Sequence, residues 1–111
     1  MKKSVWVTHQ FAAYHHWKQA PEQVAFLRHD HRHMFHVRLE IEVSHNNRDV
    51  EFFMLKAELI EHIDLNFLER HDVGSCEMIA EQLYLWTKNN AYRFLSVTVS
   101  EDNENGATIR A

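Results

Sequence analysis

An alternating segment at residues 33–44, entered through His29-Asp30-His31-Arg32-His33, constrains the fold of this chain more than any other feature. The odd-numbered positions after the histidines are apolar: Phe35, Val37, Leu39, Ile41 and Val43. The even-numbered positions are mostly polar. Because successive strand residues point to opposite faces, the pattern predicts a strand with one buried face. It also predicts that the imidazoles of His31 and His33 lie at the end of that buried face.

Residues 4–16 alternate in the same way and predict a first strand, with His15 at the far end of its apolar side. Residues 17–28, which hold the only proline, predict a loop. His45-Asn46-Asn47-Arg48 predicts a turn, because asparagine tolerates positive φ. A short apolar run at 50–53 predicts a third strand that forms a hairpin with the second.

From Met54 the apolar period becomes helical, with Leu55, Leu59, Ile63 and Phe67 on one stripe. The segment His71-Asp72-Val73-Gly74 predicts a break. Ser75 is a good N-cap for a second helix, which Asn89-Asn90 closes. Residues 91–101 and 107–110 predict two further strands. The order β-β-β-α-α-β-β indicates an α+β fold, an antiparallel sheet of four to five strands with two helices on one face.

Size and charge narrow the class of protein. A chain of 111 residues predicts a single domain over residues 1–111. The net charge of −4 without a basic stripe argues against a nucleic-acid partner. No apolar run approaches the roughly 20 residues of a membrane span. The first nine residues lack the apolar segment of a signal peptide, and Cys76 is the only cysteine, so a cytoplasmic location is expected.

Polar side chains end the apolar faces of three predicted strands: His15, the pair His31 and His33, and Glu101. Burying an imidazole or carboxylate costs several kcal/mol unless the group is paired or bound to a metal. Imidazole nitrogens suit a borderline metal such as zinc. A solvent-exposed, polar strand end explains any one of these residues. Their occurrence on three strands favours a binding site.

Five short segments resemble, in order, motifs of the 6-pyruvoyl-tetrahydropterin synthase and 6-carboxy-tetrahydropterin synthase family, zinc enzymes of the tunnelling fold. They are Phe11-Ala12-Ala13-Tyr14-His15, His31-Arg32-His33, Glu51-Phe52-Phe53-Met54-Leu55-Lys56, Gly74-Ser75-Cys76-Glu77 and Glu101-Asp102. Each motif alone is weak, but the match spans nearly the whole chain.

The resemblance implies that His15, His31 and His33 bind zinc and leave a position open for substrate. His29 is an alternative to His33, and His16 to His15. The resemblance also implies that Glu101 accepts hydrogen bonds from the ring nitrogen and amino group of a pterin. Ser75, Cys76 and Glu77 would frame that ring. Subunits would assemble as a trimer, stacked into a hexamer, with sites between them.

The chain also departs from the family. The family's catalytic cysteine position is Leu27, which cannot transfer a proton, and Glu22 lies five residues too early for the known glutamate variation. The family's Asp-His pair after the first helix is missing. His62, His71 and Asp72 are candidate bases. Cys76 is another candidate, since a helix N-terminus lowers a thiol's pKa, although it also suits the family's serine position.

The activity that the resemblance implies is zinc-dependent, lyase-like chemistry on a reduced pterin such as 7,8-dihydroneopterin triphosphate. One alternative is a protein that binds a pterin or purine-like ligand without the family reaction. The other is an enzyme with a different reaction on a related heterocycle.

Overall fold

The computed structural model describes all of residues 1–111. Its elements are β1 (Lys3–His15), a 3₁₀ segment (Glu22–Arg28), β2 (His31–Val43), α1 (Phe52–Asn66), α2 (Cys76–Asn89), β3 (Arg93–Glu101) and β4 (Asn105–Arg110). The four strands form one antiparallel sheet in the order β1-β2-β3-β4. The predicted α+β class is confirmed. None of the helices has the length and apolar character that a membrane crossing requires.

Strands β1 and β2 pair along their whole length, from Lys3 opposite Val43 to His15 opposite His31. Each strand has 13 residues, and the register contains no bulge. An antiparallel ladder without a bulge keeps alternate side chains on one face. The last residue of β1 and the first of β2 therefore meet at one end of the sheet.

Both helices pack on one face of the sheet and form the core with it. The predicted stripe of α1 is buried at Leu55, Leu59, Ile63 and, just past the helix, Phe67. It meets buried sheet residues that include Phe35, Leu39, Ile41, Val97 and Val99. The opposite face carries groups such as Ser4, Glu40 and Thr98. The sheet is therefore amphipathic, as the period of two predicted.

The predicted strand at 50–53 is wrong, because α1 begins there. The Glu51 carboxylate accepts a hydrogen bond from the Met54 backbone N–H (2.9 Å) and caps the helix. Phe52 and Phe53 lie in the first turn and remain exposed. A four-residue apolar run does not distinguish a strand from a helix start, and here the cap is decisive.

The predictions for two other segments near the site have opposite outcomes. The predicted loop at 17–28 contains the 3₁₀ segment, which Arg28 closes by donating from Nε to the Ala20 carbonyl (2.8 Å). The predicted N-cap of α2 is confirmed, since the Ser75 hydroxyl accepts from the Met78 N–H (3.1 Å). Both segments border the same end of the sheet as His15 and His31.

Candidate metal centre and adjoining cavity

Three histidines meet at the end of the β1–β2 ladder. His15 ends β1, and His31 and His33 begin β2 on the same face. One ring nitrogen from each lies within 4.8 Å of the others. The rings stand edge to face, with centroids 4.5 to 5.2 Å apart. The sheet register thus converges the three predicted ligands on one point.

Each of these rings donates its Nδ1–H to an oxygen that can only accept. His15 donates to the Gly74 carbonyl (2.7 Å), His31 to the His29 carbonyl (2.8 Å) and His33 to the Asp102 carboxylate (2.6 Å). Because Nδ1 carries the proton, the neutral ring keeps its lone pair on Nε2. Such outer hydrogen bonds orient metal-binding histidines. The His29 backbone, and not its side chain, takes part in this arrangement.

Glu101, at the end of β3, lies against the same nitrogens. One carboxylate oxygen is 3.0 Å from His15 Nε2, and the other is 3.8 Å from His33 Nε2. The Nε2 of His31 is buried without a hydrogen-bond partner. Lone pairs and a carboxylate repel one another unless a positive charge lies among them. The donor set therefore fits a zinc ion, for which three imidazole nitrogens are a common ligand group.

Burial keeps the His15 imidazole in the form that a metal needs. Loss of solvent lowers the pKa of His15, although the Gly74 hydrogen bond and the Glu101 charge partly offset this effect. A lowered pKa favours the neutral ring, whose Nε2 lone pair is available.

A cavity of ≈ 490 Å³ adjoins the histidines. Its walls are the end of β1, the 3₁₀ segment, the start of α2 and the β3–β4 hairpin. Four residues that were predicted to contact or frame a pterin line this cavity: Glu101, Ser75, Cys76 and Glu77. Leu27, at the position of the family cysteine, lines it as well. This volume is within the range of small-molecule sites.

The helix N-terminus, which made Cys76 one candidate for a reactive thiol, does not lower the pKa of this thiol. Burial raises the pKa of its thiol to about 12, and the charges of Glu101 and Glu77 act in the same direction. The side chain is almost fully buried at the base of α2. Desolvation and two carboxylates thus outweigh the helix dipole, and the thiol stays protonated at neutral pH.

Alkylation of Cys76 by iodoacetamide at pH 8 should consequently be slow in the folded protein. The thiolate is the reacting form, so we expect a rate at least about tenfold below that of the same chain in urea. Mass spectrometry over time measures both rates. Equal rates in the two states would mean that the thiol is ionised and accessible.

The other candidate bases lie outside the cavity. His62 stacks on Trp86 and shares a hydrogen bond with Gln82 (2.9 Å) between the two helices. Asp72 is an exposed residue whose carboxylate is 3.8 Å from Arg70. His71 stacks on Tyr14 with ring centroids 4.2 Å apart. None of the three is among the residues that line the cavity.

In the sequence, His16 stood out only as an alternative to His15. Its ring lines the cavity, and its Nδ1 donates to the Asp30 carboxylate (2.7 Å). The β1–β2 register, extended one step beyond His15 opposite His31, places residue 16 opposite residue 30. Pairing the two strands in the sequence would have revealed this contact.

No known family model matches this chain, and no curated protein does. Solved structures match it in fold. An uncharacterized protein from Wolinella succinogenes is 12% identical with a TM-score of 0.74, over 99% of this chain and 98% of that one. The 6-pyruvoyl tetrahydropterin synthase of Caenorhabditis elegans is 17% identical with a TM-score of 0.70, over 100% of this chain and 96% of that one. At such low sequence identity, the structural similarity establishes the fold alone. The predicted tunnelling fold is confirmed.

Proposed function

We propose that this chain binds zinc through His15, His31 and His33 and acts as a lyase-like enzyme on a reduced pterin. The carrying observation is that one ring nitrogen from each histidine lies within 4.8 Å of the others, while an Nδ1 hydrogen bond holds each ring. Full-length likeness in fold to a 6-pyruvoyl tetrahydropterin synthase supports the choice of substrate class. A compound such as 7,8-dihydroneopterin triphosphate is the substrate that we infer.

Different groups around the cavity would bind different parts of the substrate. Bound zinc would supply a Lewis acid that polarises oxygens of the substrate side chain. Glu101 offers two carboxylate oxygens, which suit the adjacent ring N–H and amino group of a pterin. Ser75 and Glu77 stand at the start of α2, where they would border the ring.

Incubation of zinc-loaded protein with 7,8-dihydroneopterin triphosphate tests this function. We expect release of inorganic triphosphate and its loss after the metal is removed with a chelator. Chromatography of the pterin product, with added zinc as the restoring control, measures the reaction. Absence of triphosphate release from fully loaded protein would contradict the lyase proposal.

A second candidate is a protein that binds a pterin or a purine-like compound without the family reaction. Leu27 favours it, because this residue lines the cavity at the position of the family cysteine and cannot transfer a proton. Ligand binding without turnover would support this candidate. Turnover of a different heterocycle would instead support a changed reaction.

Self-association is also part of the proposal. The segment 69–73 covers only the end of the free β1 edge, through Glu69 N–H to the Ala12 carbonyl (2.7 Å) and Tyr14 N–H to the Arg70 carbonyl (2.7 Å). The rest of β1 and the outer edge of β4 have no neighbouring strand. Uncovered edges favour strand pairing between copies, so we propose self-association. The family resemblance implies that the assembly is a homotrimer or a hexamer.

Replacing Glu101 with glutamine should weaken pterin binding much more than zinc binding. The amide keeps the size of the side chain but loses one acceptor and the charge, worth about 1.5–3 kcal/mol, or roughly tenfold to a hundredfold in Kd. Titration calorimetry with 7,8-dihydroneopterin measures the pterin affinity, and the zinc content per chain is the control. Unchanged pterin affinity would remove Glu101 from ring recognition.

A further inference from the structure

We propose that His16, held by Asp30, touches the substrate in this cavity and accepts its proton in place of the missing cysteine. This inference rests on the proposed function, since it names the base for the same site. It replaces Cys76, His62, His71 and Asp72 as candidates.

The His16 ring lines the cavity and keeps one nitrogen in the accepting form. Its Nδ1 lies 2.7 Å from an Asp30 carboxylate oxygen, which can only accept a hydrogen bond. The proton of the neutral ring is therefore on Nδ1, and the lone pair is on Nε2. No protein group hydrogen-bonds Nε2, and both His16 and Leu27 line the cavity.

Asp30 is itself held in place from the other side. Its second oxygen accepts from the Nδ1 of His71 (2.9 Å), and the His71 ring lies nearly parallel to Tyr14. Asp30 thus accepts hydrogen bonds from two histidines and is a fixed acceptor, the kind of third group that orients a base.

The remaining cavity groups are less suited to accept a proton. The nitrogens of His15 and His31 converge with that of His33 at the proposed metal centre, and Glu101 lies against them. The thiol of Cys76 is buried and protonated. Glu77 is exposed, and no hydrogen bond fixes its carboxylate. Apart from the proposed metal ligands, His16 is the cavity histidine that has a partner to orient its ring.

The proton transfer balances without any further reactant. His16 Nε2 takes the proton from the side-chain carbon that is bonded to the C=N group of a 7,8-dihydropterin. The C–H electron pair forms a C=C bond to the ring, and the C=N pair moves to the ring nitrogen, which takes a proton from water. The imidazolium then releases its proton to water. The side chain is oxidised as the ring is reduced, within one molecule.

Steady-state kinetics of His16→Ala test this role, with His45→Ala as the matched control at the opposite end of the β1–β2 ladder. We expect kcat for 7,8-dihydroneopterin triphosphate to fall about a hundredfold or more, the usual contribution of a positioned base. KM should change less than about threefold, and added imidazole should restore part of kcat. The His45 variant should match the wild type.

Asp30→Asn provides a second variant that conserves size. An amide oxygen can serve only one of the two histidines, so we expect kcat to fall about tenfold with little change in KM. This split would not follow from a merely structural role. If His16→Ala fails to fold, His16→Gln and Asp30→Asn decide the question by the same kcat criterion.

Deuterium exchange separates failure of this inference from failure of the proposed function. 7,8-Dihydroneopterin has no triphosphate to lose, so exchange at its side-chain carbon reports the proton transfer alone. Exchange without triphosphate release would overturn the lyase function and keep the base, provided that His16→Ala abolishes exchange. Full kcat, or full exchange, in zinc-loaded His16→Ala would overturn the inference alone. Neither reaction in the wild type would overturn both.

Discussion

Replacing His31 with alanine is expected to abolish stoichiometric zinc binding. His31 Nε2 is buried without a hydrogen-bond partner, and a ring nitrogen of His31 lies within 4.8 Å of nitrogens of His15 and His33. Two imidazoles remain in the variant, whereas a catalytic zinc site normally has three protein ligands. Inductively coupled plasma mass spectrometry of purified protein should give about one zinc per chain in the wild type and almost none in the variant.

His29→Ala is the matched control for this measurement. His29 contributes its backbone carbonyl to the site by accepting from His31 Nδ1 (2.8 Å). Removal of its side chain leaves that carbonyl in place, so we expect zinc to be retained. Loss of zinc in both His29→Ala and His31→Ala would make His29 a ligand in place of His33. Full retention of zinc by His31→Ala would contradict the assignment of His31. A wild type without zinc affinity would remove the metal centre altogether.

Replacing Phe35 with alanine is expected to lower the free energy of unfolding by about 3–5 kcal/mol. The side chain is 0% exposed, stacks on Phe11 with centroids 5.4 Å apart and contacts the rings of His15 and His33 edge-on. The cavity left behind would loosen the histidines, so zinc affinity should fall as well. Urea unfolding with chelator present measures the first effect without the contribution of the metal.

Phe53→Ala is the control for Phe35, because the Phe53 side chain is 74% exposed. We expect a change within about 0.5 kcal/mol in the free energy of unfolding. Equal losses in the two variants would mean that Phe53 is covered in solution, as an interface between copies would do. A loss below about 1 kcal/mol for Phe35→Ala would show that Phe35 is not a core residue.

Strong periodicity was the most informative signal in the sequence. The alternation in residues 33–44 and the stripe from Leu55 to Phe67 predicted the buried faces of β2 and α1, and both are buried as expected. Capping chemistry at Ser75 predicted the start of α2. Short segments were less reliable, since the residues at 50–53 begin a helix through the Glu51 cap and the 17–28 loop contains a 3₁₀ segment.

The sequence by itself determined which side chains share a face, because strand and helix periods depend only on spacing along the chain. It therefore placed His15, His31, His33 and Glu101 at the ends of apolar faces. Only the tertiary structure decided what those side chains meet. The β1–β2 register sets His16 beside Asp30, and the loop before α2 aims the Gly74 carbonyl at His15. Burial between α2 and Glu101 raises the pKa of Cys76, against the local effect of its helix end. Desolvation and charge act through space, so contacts between residues far apart in the chain decide them.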